Sequence, residues 1–156
     1  MPDDLGEAKG YALNLLSYRS YSVEELRQRL RRKGFTEAAI GQVIAMMTDY
    51  GYLNDEAYAR RWIETLLQRR GYGKRRLLQE LLSRGIQRSL AEALLAEIPD
   101  SAELDRARAL ARKKLHSLTN TGRFKTYRRL AQYLTRQGFA PEISRRVLDE
   151  VFPAKE

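Results

Sequence analysis

The chain has no cysteine, so it can form no disulfide, no zinc knuckle and no iron–sulfur site. It has one histidine, His116, and a lone imidazole without thiolates cannot assemble the common transition-metal ligand sets. Only four prolines and ten glycines interrupt 156 residues, which leaves room for long regular elements. Long apolar runs are also missing. The longest uncharged stretch, Ala38 to Thr48, is far short of the roughly 20 residues that span a bilayer. Met1, Pro2, Asp3 and Asp4 open the chain with acid, where a secretory leader needs a basic start and an apolar run. These absences predict a soluble cytoplasmic protein with no metal and no cofactor.

Basic charge is what the chain has in excess. It carries 29 Lys and Arg against 20 Asp and Glu, a formal charge of +9, with an isoelectric point near 10.0. Hydrophobic residues make up 43% of the sequence, enough to bury a core and to exclude a disordered chain. The excess of positive charge suits an anionic partner: nucleic acid, an anionic membrane or an acidic protein surface.

A repeat organises the sequence. Gly34-Phe35, Gly85-Ile86 and Gly138-Phe139 lie 51 and 53 residues apart. With the glycines in register, Leu26, Leu77 and Leu130 align, as do Leu30, Leu81 and Leu134. Beyond the glycine, Val43-Ile44 matches Leu94-Leu95 and Val147-Leu148, and Met47 matches Ile98 and Val151. Leucines four apart share one helical face. A glycine just past them supplies the left-handed residue that closes a helix. Ser22, Gly73 and Thr126 align as N-caps, and Ser22 with Glu25 forms a capping box stapled by Tyr21 and Leu26. A further helix precedes each pair: Tyr11, Ala12, Leu15 and Leu16 match Trp62, Ile63, Leu66 and Leu67. The third unit starts near Asp100-Ser101, and a loop through Thr119, Asn120, Thr121 and Gly122 shifts its register. The expected fold is all-α: three tandem three-helix repeats, residues 1–53, 54–100 and 101–156, stacked into an elongated, curved array.

Charge is spread unevenly over these units, at net 0, +2 and +7 in chain order. Glu24-Glu25 opens the second helix of the first unit, and the aligned pairs are Arg75-Arg76 and Arg128-Arg129. Base at a helix start opposes the macrodipole. A local rule broken twice in register points to a surface kept for an anionic partner. The candidate face is Arg69, Arg70, Lys74, Arg75, Arg76, Lys125, Arg128, Arg129 and Arg136, with Tyr72 and Tyr127 placed to stack on bases or on a partner. The plainer alternatives are a solvated helix face and tyrosines that serve as staples or core. Trp62, Tyr58 and Phe35 read as core.

Catalytic motifs are absent. Gly71-Tyr72-Gly73-Lys74 is too short for a phosphate-binding loop and has no strand before it. His116 follows Lys113-Lys114 at a helix end, which is ordinary dipole chemistry. Helix-turn-helix base reading needs polar and basic residues on the helix after the turn. Thr36 to Asp49 has no Lys or Arg there, so phosphate contact stays open while sequence-specific reading does not.

Several stretches carry a family resemblance. Gly51-Tyr52-Leu53-Asn54-Asp55-Glu56-Ala57-Tyr58-Ala59 is followed by Arg70-Gly71-Tyr72-Gly73, then Arg76-Leu77-Leu78-Gln79-Glu80-Leu81 and Arg84-Gly85-Ile86. With Ser22, Glu25-Leu26-Arg27, Leu30 and Lys33-Gly34-Phe35, these resemble the RecX family of bacterial regulators of the RecA recombinase. The third unit matches loosely, through Leu130, Leu134 and Gly138-Phe139. One departure is Lys74, where family members often have proline after the second glycine. The resemblance implies a non-enzymatic regulator, expected to be a monomer. It would bind RecA and the RecA–single-stranded-DNA filament, along the filament groove, and inhibit ATP hydrolysis, strand exchange and the coprotease activity of the SOS response. The alternative reading is a sequence-independent nucleic-acid binder acting directly on DNA; attachment to a membrane lacks an amphipathic aromatic anchor.

Overall fold

The structure, a computed structural model, describes residues 4–118 and 122–152. The loop expected through Thr119, Asn120 and Thr121 lies outside the described residues, as does Asp3. Among the described residues there are nine helices and no strand. They are α1 (Asp4–Tyr18), α2 (Val23–Lys33), α3 (Glu37–Asp49), α4 (Asp55–Arg69), α5 (Lys74–Ser83), α6 (Arg88–Ala96), α7 (Asp100–Ser117), α8 (Arg123–Arg136) and α9 (Pro141–Val151). No helix among the described residues is long and apolar enough to cross a membrane.

The aligned leucines are the centres of three separate cores. Leu26 and Leu30 pack with Val43, Ile44 and Met47; Leu77 and Leu81 with Ile63, Leu94 and Leu95; Leu130 and Leu134 with Ala107, Val147 and Leu148. The three glycine turns close alike. Gly34, Gly85 and Gly138 have φ of 98°, 83° and 96°. Phe35, Ile86 and Phe139 each donate a backbone N–H back to Leu30, Leu81 and Leu134 at 3.3, 3.1 and 3.1 Å. This six-to-one bond satisfies a carbonyl that the helix end leaves unpaired and folds the apolar residue onto its own core. At α2 the capping box is complete: Glu25 N–H donates to Ser22 Oγ at 3.1 Å, and Ser22 N–H donates to Glu25 Oε1 at 3.0 Å.

Neighbouring repeats meet in one way twice: the start of a unit's second helix receives the glycine turn of the next unit. At the first junction Ser22 Oγ donates to the Arg84 carbonyl, and Gly85 lies against Glu24. At the second, Gly73 N–H donates to the Gln137 carbonyl at 2.9 Å and Arg75 N–H to the Gly138 carbonyl at 3.0 Å. An acid from the next unit's first helix completes each contact. Val23 N–H donates to Asp55 Oδ1 at 2.9 Å, and Lys74 N–H donates to Glu103 Oε2 at 2.8 Å.

Glu103 corrects one step of the charge argument. α5 has Gly73 as N-cap with no side-chain cap of its own. The buried Glu103 carboxylate supplies both the missing acceptor and a negative charge at the positive helix end. Lys74 Nζ also lies 3.5 Å from Asp100. The basic start of α5 is therefore offset from the next repeat, twenty-nine residues away in sequence. Glu103→Ala should lower stability by about 1–3 kcal/mol, because a buried donor loses its acceptor. Glu103→Gln keeps an acceptor oxygen and should lose less. Equal urea midpoints for the two variants would show that the hydrogen bond carries no weight.

The expected start of α8 also shifts. Thr126 is not a cap: α8 begins at Arg123 behind Gly122, and Thr126 is buried one turn inside. Arg128 and Arg129 therefore sit in the second turn, beyond the first turn where the macrodipole acts most strongly.

Candidate interaction face and the repeat junctions

The second junction draws much of the candidate face together. Because Gly73 and Arg75 bond to the end of α8, the α5 start and Arg136 become neighbours. Arg76 donates to the Arg136 carbonyl at 3.0 Å, lies 3.5 Å from Glu80, and covers the Tyr72 ring at 4.5 Å from its centroid. Lys125, Arg129 and Arg136, spaced four and seven apart, fall in one exposed stripe of α8 away from buried Leu130 and Leu134. Arg69 and Arg70 end α4 just before the same junction.

Two kinds of cation are thereby separated. Among the described residues, Arg69, Arg70, Arg75, Lys125, Arg128, Arg129 and Arg136 are exposed and have no carboxylate within 4.0 Å. Lys74 and Arg76 are half-buried and hold the junction together. Elsewhere several arginines are paired. Arg84 and Glu80 lie 2.9 Å apart, and that hydrogen bond holds the Glu80 carboxyl below its ordinary range. Arg60 meets Glu97 at 3.0 Å, and Arg108 meets Glu150 at 2.6 Å. Surface ion pairs of this kind stabilise little, but they remove a cation from the set offered to a partner.

The tyrosines divide as well. Tyr72 is buried under Arg76 and belongs to the core of the second repeat, so its ring is not offered to a base. Tyr127 stays 38% exposed, edge-on to Phe152 at 5.7 Å. Beside it Phe124 is 76% exposed, with Arg128 over its ring at 5.3 Å. Phe124 was not singled out in the sequence, because a lone aromatic at a helix start has no distinguishing pattern.

The two junctions differ in chemistry at matching places. At the first, Tyr58 donates its hydroxyl to Glu25 at 2.8 Å. Burial, and then this bond to a carboxylate, push the Tyr58 hydroxyl up to about 12. Taking Asp55 and Glu103 as equivalents, Tyr58 corresponds to Arg106; on the glycine register, Glu25 corresponds to Arg76. A hydroxyl–carboxylate pair has become two cations. The Nε and Nη2 atoms of Arg106 are accordingly buried without a hydrogen-bond partner, and burial lowers its pKa. Arg106→Met keeps the aliphatic stem and should raise stability by about 1 kcal/mol, since the unpaired donors go with the guanidinium. A lower thermal midpoint for this variant would mean that Arg106 has a partner after all.

The arrangement is built from basic and aromatic side chains. No group of three or more His, Asp or Glu capable of holding a metal exists among the described residues. What it offers is a row of unpaired guanidinium and ammonium groups on a rigid helical support.

Comparison with known proteins agrees with the helical repeat. Residues 8–45, 54–95 and 101–148 match, in order, the family descriptions "RecX, first three-helix domain", "RecX, second three-helix domain" and "RecX, third three-helix domain". The regulatory protein RecX of Caldanaerobacter subterraneus is 35% identical over 137 residues, covering 87% of this chain and 66% of that protein. That of Amycolatopsis mediterranei is 33% identical over 144 residues, covering 92% of this chain and 82% of that one. The fold is similar to the crystal structure of RecX from Lactobacillus salivarius, with a TM-score of 0.87, 24% identity, and coverage of 97% and 98% of the two chains.

Proposed function

Because the chain belongs to the RecX family of regulatory proteins, we propose that it regulates the RecA recombinase by binding RecA and the RecA–single-stranded-DNA filament in the bacterial cytoplasm. Bound there, it inhibits ATP hydrolysis, strand exchange and SOS coprotease activity, and so modulates DNA repair and recombination. The observation that carries this reading is the set of exposed cations without carboxylate partners among the described residues: Arg69, Arg70, Arg75, Lys125, Arg128, Arg129 and Arg136. Stacked repeats hold these groups at fixed spacing, and a filament presents its acidic side chains and phosphates at fixed spacing too. Rigid matching of this kind lowers the ordering cost of binding. No catalytic residue is needed; an array seated across subunits blocks their motion.

The test is titration into a RecA–single-stranded-DNA ATPase assay, with binding to naked DNA measured at the same salt. Inhibition at substoichiometric protein without naked-DNA binding supports the regulator. Tight DNA binding with no effect on preformed filaments overturns it in favour of a direct nucleic-acid binder. Phosphate contact would then show as a steep fall of log K with log salt.

A further inference from the structure

A cleft of about 300 Å³ opens at the first junction, between the α1–α2 connection and α4. Arg19, Ser20, Tyr58, Arg61, Trp62, Thr65 and Arg69 line it. Its size is at the small end of ordinary ligand sites, roughly 300–1,000 Å³. Its chemistry is lopsided: three guanidinium groups, three hydroxyls, two aromatic rings and no carboxylate.

Two of the three cations, Arg61 and Arg69, have no carboxylate partner among the described residues. Arg61 donates only to the Ser20 hydroxyl at 3.0 Å. Arg69 has no partner among the described residues. Arg19 is engaged: it rests on the Tyr21 ring at 3.7 Å, donates to the Ser20 carbonyl at 3.0 Å and pairs with Glu25 at 3.6 Å. The aromatic wall is held from behind. Arg84 covers one face of the Trp62 indole at 3.8 Å and is itself fixed by Glu80. Tyr58 is fixed by Glu25.

Repeat geometry alone does not produce this cleft. On the alignment that equates Asp55 with Glu103, Trp62 corresponds to Leu110 and Arg61 to Ala109. On the glycine register, Ser20 corresponds to Gly71. At the second junction Leu110 closes onto Gly71, within 3.5 Å of where a Cβ would stand. The first junction has an indole, an arginine and a hydroxyl where the second has a leucine, an alanine and a bare glycine.

We propose that the cleft lined by Trp62, Arg61 and Arg69 binds a nucleotide, with the base against the indole and the phosphate on the arginines. Guanidinium groups alone would suit any anion. The adjoining indole selects an anion that carries a flat aromatic body, since base–aromatic stacking is a main source of affinity for unpaired nucleotides. An acidic peptide would use the arginines and leave the indole idle. The nucleotide has two sources, a single strand or a free nucleotide. The site stands on the cleft itself and does not depend on RecA regulation.

Trp62 is the only tryptophan in the chain, so its fluorescence reports the site directly. The intact protein is titrated separately with a short oligo-dT strand, with dTMP and with poly-glutamate. The variants are Arg61→Gln and Arg69→Gln, both at exposed positions, and an Arg145→Gln/Arg146→Gln control on α9. Saturable quenching by oligo-dT, weakened about tenfold by each cleft variant and within twofold by the control, assigns a nucleotide within a strand. The same dependence with dTMP assigns a free nucleotide. Absence of quenching by both probes overturns the proposal. So does quenching that the cleft variants leave unchanged, or that the control weakens equally. Quenching by poly-glutamate with the same residue dependence also overturns it, in favour of an acidic polypeptide.

Discussion

Gly138→Ala should destabilise the protein by about 2–5 kcal/mol and loosen the third repeat from the second. Two costs combine. The residue has φ of 96°, where an L side chain is strained by about 1–2 kcal/mol. A Cβ there would also overlap the backbone N and Cβ of Arg76, and overpacking of a fixed contact costs about 1–3 kcal/mol. The internal control is Gly34→Ala. Gly34 has nearly the same φ, 98°, yet nothing lies within 4 Å of its would-be Cβ. It should show the backbone cost alone. The difference between the two urea midpoints isolates the docking of one repeat on the next. If both variants unfold together, the turn is not wedged against α5 as described.

Reversing exposed cations should do the opposite: large effects on binding, little on folding. The combined Arg75→Glu, Arg128→Glu and Arg129→Glu variant should keep its thermal midpoint within a few degrees. These residues are exposed and have no carboxylate partner among the described residues. Its affinity for the RecA–DNA filament should fall at least a hundredfold, equivalent to about 3 kcal/mol spread over three charged contacts. If the contacts are phosphates, the salt slope of naked-DNA binding should drop by roughly 3 as well. Arg76→Glu belongs to the other class. It loses the Tyr72 ring, the Glu80 carboxylate and the Arg136 carbonyl at once, so it should weaken the fold. An unchanged filament affinity in the triple variant would remove these residues from the interface.

The fold was legible wherever its cause was local. The glycine turns, the Ser22–Glu25 box and the paired leucines each act within one helix and its cap, so spacing alone exposes them. What stayed hidden acts between units. Glu103 and Asp55 do the same work at their junctions, but one lies 48 residues after the other, whereas the glycines repeat at 51 and 53. No single register shows both. The exposed cations of the candidate face were readable as types, because arginine at a helix start is locally unfavourable. Which of them the junction engages was not readable, since Arg76 bonds an element sixty residues away from its own and covers Tyr72 as it does so. Thr126 misled for a related reason: it occupies a cap's place in the alignment, while α8 runs past it to Arg123.

That additional turn of α8 has a consequence for association. Any stack of like units risks adding one more unit, as an open sheet edge risks adding a strand. The receiving surface in this array is the start of a second helix, and the entering one is a glycine turn. Gly34 is such a turn left bare, so a second molecule could offer it to α8. On the glycine register, residues 123–126 of α8 extend one turn beyond the position at which α5 begins, and would meet such a turn first. Arg32 and Lys33 on one side and Lys125 and Arg129 on the other add repulsion between like charges. Shape and like charge at these two surfaces would both oppose head-to-tail growth into fibres.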